Sequence, residues 1–163
     1  MIIIYHDVGG THSTAVAANI HINNLPIDKV PNKSEILELP TFDKIRKSQL
    51  GHLLYIGEDE FGFKVYTLGR KYKPNFVIPA IVDSFNIAGV KPEELYIVDT
   101  HPTVNLWMKI GGFSSRGLNL VTFGRPIVTY GTLKTYENIA NIVRGVKETL
   151  RKGRFSNKNK ILR

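Results

Sequence analysis

Nine consecutive residues near the N-terminus, His6-Asp7-Val8-Gly9-Gly10-Thr11-His12-Ser13-Thr14, join side chains that move protons to a backbone that can hold an anion. Two glycines make a tight turn, and the hydroxyl residues lead into Ala15-Val16-Ala17-Ala18, whose small side chains suit a helix lying close on a sheet. A glycine turn that opens a helix offers unpaired N–H groups and the positive end of the helix dipole to a negative group. Gly9, Gly10, Thr11, Ser13 and Thr14 are therefore expected to cradle a phosphate, with His6 and Asp7 as secondary candidates. The bland alternative is conformational: the glycines allow the turn, and Thr11 or Ser13 caps the helix.

Laid on the P-loop frame, His6 and Thr11 take the two glycine positions, His12 the lysine position and Ser13 the hydroxyl position that holds magnesium. Histidine for lysine shortens the reach and leaves the ring only partly charged at neutral pH, so ordinary ATP hydrolysis does not follow. A second candidate is Leu95-Tyr96-Ile97-Val98-Asp99-Thr100-His101-Pro102, an apolar strand ending in an acid, as in the strand that supplies a magnesium-associated aspartate. Asp99 or Thr100 as a plain helix cap is the competing reading. If the two strands are neighbours, His12, Asp99 and His101 become catalytic candidates, and Asp99 with Ser13 a transient Mg2+ site. Arg125 is expected to grip phosphate oxygens, against an ordinary ion pair; Arg70 and Arg116 are weaker candidates of the same kind. His21 and His52 are expected to be structural, and Glu58, Asp59 and Glu60 a solvated turn.

The elements that must position these residues follow from pattern. Met1–His6 is apolar at nearly every position, the mark of a strand covered on both faces. Leu53–Ile56 and Lys64–Leu68 flank a glycine- and acid-rich turn, which predicts a β-hairpin at a sheet edge or as a flap. Short helices are expected at Lys33–Leu39 and Phe42–Ile45, and a longer one near Phe76–Ile87 with Pro79 in its first turn. Leu95–Asp99 is a strand, Pro102–Ile110 a helix and Leu118–Phe123 a strand. Ile139, Ile142, Val143, Val146 and Leu150 share one face of a final helix near Tyr136–Leu150. Strands alternating with helices predict an α/β fold: a three-layer, mostly parallel sheet with flanking helices and a β-hairpin insertion. Ligands of such sheets bind beyond the carboxyl ends of the strands, where strand order reverses.

At 163 residues the chain fits one domain, expected over 1–150, followed by a basic, flexible tail over 151–163. The net charge is +8, but that tail carries six basic residues and no acid, which leaves +2 for the body. The charge therefore argues for nucleic acid only through the tail. With no cysteine, disulfides and thiolate zinc sites are excluded. No uncharged stretch approaches the roughly 20 residues a bilayer crossing needs, and the apolar start lacks a signal peptide's basic flank. The expectation is a cytoplasmic protein with no membrane partner.

Tyr5 to Ser13, Tyr66-Thr67-Leu68-Gly69-Arg70 and Val98-Asp99-Thr100-His101-Pro102 together resemble a small uncharacterised family of spore-forming Firmicutes, with a degenerate P-loop-like N-terminal motif, over about residues 1–150. The resemblance implies a bacterial cytosolic protein and carries no activity with it. From the residues, the expectation is a phosphate- or nucleotide-binding protein, a phosphotransferase or phosphohydrolase, acting on a phosphate-bearing small molecule. The alternatives are a non-catalytic ligand-sensing or protein-interaction module and a metal-dependent hydrolase using the histidines and aspartates directly.

Overall fold

Residues 1–161 are described by the structure, a computed structural model, with side chains described over 1–153. Of the expected flexible tail, 151–163, residues 151–161 continue the last helix, and 162–163 lie outside the described residues. The chain is an α/β fold with, among the described residues, four strands, β1 (Ile2–Asp7), β2 (Leu53–Glu58), β3 (Lys64–Gly69) and β4 (Leu95–Asp99), and five α-helices. The helices are α1 (Ser13–His21), α2 (Lys33–Glu38), α3 (Pro74–Ile87), α4 (Leu106–Gly112) and α5 (Val121–Ile161).

The sheet order is β2-β3-β1-β4, with β3, β1 and β4 parallel and β2 antiparallel at the edge. The hairpin forms as expected but is half of the sheet, because β3 pairs directly with β1. Ile3 aligns with Val65 and Tyr96, and Tyr5 with Thr67 and Val98, so these residues share one face. On that face lies α1, nine residues long and buried throughout, with α5 packed beyond it. Only a helix of small residues fits between two such partners. Val16 and Ile20 of α1 join Ile3, Tyr5, Tyr136, Ile139 and Val143 in one core.

Four expectations are corrected. Leu118–Phe123 is not a strand: a π-helical turn at Phe113–Gly117 leads into α5, which begins at Val121. A short apolar run fits either period, and here close helix packing decides. A Cβ at Gly111 would lie 2.8 Å from Val128 Cα, and one at Gly124 would lie 2.6 Å from Gly111 O. The helix expected from Pro102 is a 3-10 turn, His101–Thr103, followed by α4, whose cap is Asn105 accepting from Met108 N at 2.9 Å. Phe42–Ile45 is a turn rather than a helix, with Asp43 at φ 53°. Pro79 sits inside α3 rather than in its first turn.

Asp59, expected in a solvated turn, is buried. Its Oδ1 accepts from Phe61 N and Phe63 N, each at 2.8 Å, and its Oδ2 lies 3.2 Å from His21 Nε2. The Tyr5 hydroxyl lies 2.6 Å from His21 Nδ1, completing a Tyr–His–Asp chain inside the core. Burial is the largest influence on His21 and lowers its pKa, although Asp59 pulls the other way. A base whose folded pKa is lowered contributes stability that is full above its unfolded value, about 6.5, and is lost as pH falls through the folded one. Thermal unfolding followed between about pH 8 and 5 is expected to show falling stability below about pH 6.5. His21→Gln is expected to flatten that slope relative to wild type; an unchanged slope would locate the effect elsewhere.

Candidate functional site

The chain leaves β1 for β3 on one side and then crosses β1 to reach β4, so strand order reverses between β1 and β4. The loop after β1 therefore opens at the place where such sheets bind ligands. Gly10 has φ 69°, and a Cβ there would stand 2.7 Å from Gly69 Cα, so the loop lies directly on the end of β3. Only glycine satisfies both conditions.

Inside the loop, the Asp7 carboxylate takes a position suited to an anion. Its Oδ1 accepts from Gly10 N and its Oδ2 from Ser13 Oγ at 2.5 Å. Ser13 Oγ also lies 2.9 Å from Thr100 Oγ1, at the end of β4, and Thr100 N donates to His6 O at 2.9 Å. The two sequence motifs thus meet through Ser13 and Thr100. Thr11 Oγ1 donates to Thr41 O, while Thr14 Oγ1 is buried with no hydrogen-bond partner.

His12 turns away from this cluster toward Asp43, a residue the sequence reading passed over. Its Nε2 lies 3.1 Å from Asp43 Oδ1, and its ring stands edge-on to Phe42. Asp43 Oδ2 accepts from Ser115 Oγ at 2.6 Å and Arg125 Nε at 2.9 Å; Arg116 Nε is 4.0 Å from Oδ1. Burial opposes ionisation of this carboxyl, but the hydrogen bonds from His12, Ser115 and Arg125 outweigh it and hold its pKa at about 2. Arg125 and Arg116 also donate to the Asp43 carbonyl, so both guanidinium groups brace the 43 turn.

On the opposite face of the sheet, Arg70 is buried and joins His6 to Asp99. Its Nε donates to His6 Nδ1 at 2.9 Å, and its NH2 contacts both Asp99 oxygens at 3.2 and 3.3 Å. Burial is the main reason His6 titrates below its ordinary value, opposed by Asp99. Asp99 Oδ1 also accepts from His101 N at 2.9 Å, whereas His101 Nδ1 is buried without a hydrogen bond. Asp99 is thus committed to Arg70, and the carboxylate beside Ser13 is Asp7.

Between the β1 loop, the 45–50 segment and α4 lies a cavity of about 860 Å³. Of the expected site residues, Asp7, Gly9, Thr11, His12 and His101 line it; His6, Gly10, Ser13, Thr14, Asp99 and Arg125 do not. Arg46, Lys47, Lys71, Lys109 and Arg116 also line it, with Asp7 the one carboxylate. Ile45, Leu50, Val104, Met108 and Phe113 supply an apolar wall. The four basic residues other than Arg116 carried no local motif; only the fold gathers positions 46, 47, 71 and 109. Among the described residues no group of three or more His, Cys, Asp or Glu is arranged to hold a metal ion. No described helix is long and apolar enough to cross a membrane.

Fold and site together define an α/β protein with a basic cavity at the carboxyl end of its central strand. The chain belongs to the family described as Protein of unknown function (DUF3189), whose model matches residues 2–148. No curated protein and no solved structure matches it.

Proposed function

We propose that the protein binds a phosphate-bearing small molecule, nucleotides included, in this cavity and transfers or hydrolyses its phosphoryl group. The observation that carries the proposal is the lining: five basic side chains against one carboxylate. Such a wall attracts and holds a polyanion. The apolar side next to it suits the rest of the ligand. The reading takes the fold as three-layered, with α3 over the face of Ile4, His6 and Leu68 as right-handed crossovers require, and the protein as cytoplasmic.

In this proposal His12 is the proton carrier. Ionised Asp43 accepts from His12 Nε2–H, which leaves the lone pair on Nδ1 for a water or hydroxyl group. His101 is the second candidate, because its ring lines the same cavity. A magnesium ion brought in with the phosphate would meet Asp7, the one carboxylate lining the cavity, rather than Asp99; Ser13 sits behind it, donating to Asp7 Oδ2. Arg116 stands where Arg125 was expected to serve the ligand.

A second reading, binding without turnover, is favoured by one observation: Asp7 already uses the Gly10 N–H and Ser13 hydroxyl that a phosphate would take. The ligand would then be held by the lysine and arginine side chains alone. Both readings are tested by thermal shift with inorganic phosphate, nucleotides and sugar phosphates. A ligand at about 100 times its Kd is expected to stabilise the wild type by about 2.7 kcal/mol, a shift of a few degrees. Lys47→Glu with Lys71→Glu, both at exposed positions, is expected to abolish the shift without lowering the unliganded melting temperature by more than about 2 °C. No shift with any phosphate compound would remove the proposal, and binding without product formation would select the second reading.

A further inference from the structure

We infer that the protein forms a two-fold dimer through the outer face of α4 and the first turns of α5. Along α4 and the π-helical turn, Leu106, Trp107, Ile110 and Phe113 recur at the spacing of one helix face, while Met108, Gly111 and Ser115 turn inward. Leu118 and Leu120 continue the apolar surface through the connection, and Phe123 and Tyr130 carry it onto α5. The Trp107 and Tyr130 rings meet edge-on at 5.7 Å, joining the two helices into one surface.

These eight large apolar side chains are between 45% and 71% exposed. At roughly 150–250 Å² each when fully exposed, they leave on the order of 900 Å² of apolar surface uncovered. A soluble monomer rarely leaves so much together. The area matches the roughly 800 Å² that each partner buries in a stable protein–protein interface. A self-complementary patch on one chain closes as an isologous pair.

The attraction between two copies comes from apolar contact, and the cations of this surface oppose it. No carboxylate residue lies between Asp99 and Glu137 in the sequence, and among the described residues Lys109 and Lys134 are exposed on this surface, Lys134 with its Nζ 5.1 Å from the Tyr130 ring centroid. Arg116 and Arg125 are turned onto Asp43. Two like-charged copies associate more tightly when salt screens their repulsion, whereas attraction to an anionic surface weakens with salt. Lys109 and Phe113 also line the cavity, so the dimer would close over one of its walls.

The test is sedimentation velocity of the full chain at about 50 µM in low and in high salt. The expected result is a doubled mass that becomes more complete as salt rises. Leu106→Glu with Phe123→Glu, two positions outside the cavity, is expected to give monomer with an unchanged circular-dichroism spectrum. A wild type that stays monomeric at about 200 µM overturns the inference, as does a dimer indifferent to both substitutions. Salt-sensitive co-sedimentation of a monomer with phosphatidylserine vesicles overturns it in favour of a lipid surface.

Discussion

Asp43→Ala is expected to lower the unfolding free energy by about 3–5 kcal/mol, and Asp43→Asn by clearly less. The carboxylate has no solvent exposure, and it is held by His12, Ser115 and Arg125. Removing it leaves cations and donors part-buried without their partner, which costs more than the pairing itself contributes. Alanine adds a backbone term, because residue 43 sits at φ 53°, a region that asparagine tolerates and alanine resists by roughly 1 kcal/mol. Both variants remove the charge and only alanine adds the backbone term, so denaturant unfolding of the pair separates the two; equal losses would show that the backbone contributes little. The pH dependence has a fixed sign. With the folded pKa near 2 against an ordinary 3.8, the stabilisation is complete above about pH 4 and disappears as pH falls through about 2. Its size is about 2–3 kcal/mol.

His12→Asn is expected to reduce turnover of a phosphate-ester substrate by about 10²–10⁴-fold while leaving ligand-induced thermal stabilisation largely in place. Asparagine keeps a polar group beside Asp43 but supplies no base. The variant therefore separates proton transfer from binding, as Lys47→Glu with Lys71→Glu separates binding from folding. A pH–rate profile carries the same information: the wild-type limb belonging to the histidine should be absent in the variant. Unchanged kcat in His12→Asn would move the proton carrier to His101; no turnover in the wild type would leave the cavity as a binding site only.

Much of the sheet was legible because buried strands announce themselves. Met1–His6 and Leu95–Asp99 are apolar without alternation, and the glycine-bearing turn between residues 57 and 62 marks the hairpin. The β1 loop was likewise readable, since a glycine pair before small helix formers has few other uses. The start of α5 was not. Leu118 to Phe123 fits a strand as well as a helix, and contact between Gly111 and Gly124 backbones, thirteen residues apart, settles it. Asp43 left no trace because its partners are 31 and more residues away and its own neighbourhood resembles a surface turn. Arg125 was noticed for the right chemistry, but an arginine after a glycine does not reveal whether its carboxylate partner comes from a ligand or from the chain.

The placement of β1 also governs how the chain folds as it is made. Of these four strands the earliest made is β1, paired on both sides, and its two neighbours arrive much later, at residues 64–69 and 95–99. Roughly 90 residues separate its end from the end of β4, which at about 5–20 residues per second means some 5–20 s of synthesis. Until β3 is made both edges of this apolar segment are unpaired, and until β4 is made one edge remains open to other nascent chains. Folding of this topology is accordingly slow to begin, and the yield of soluble protein depends on what shields residues 1–20 until β4 arrives.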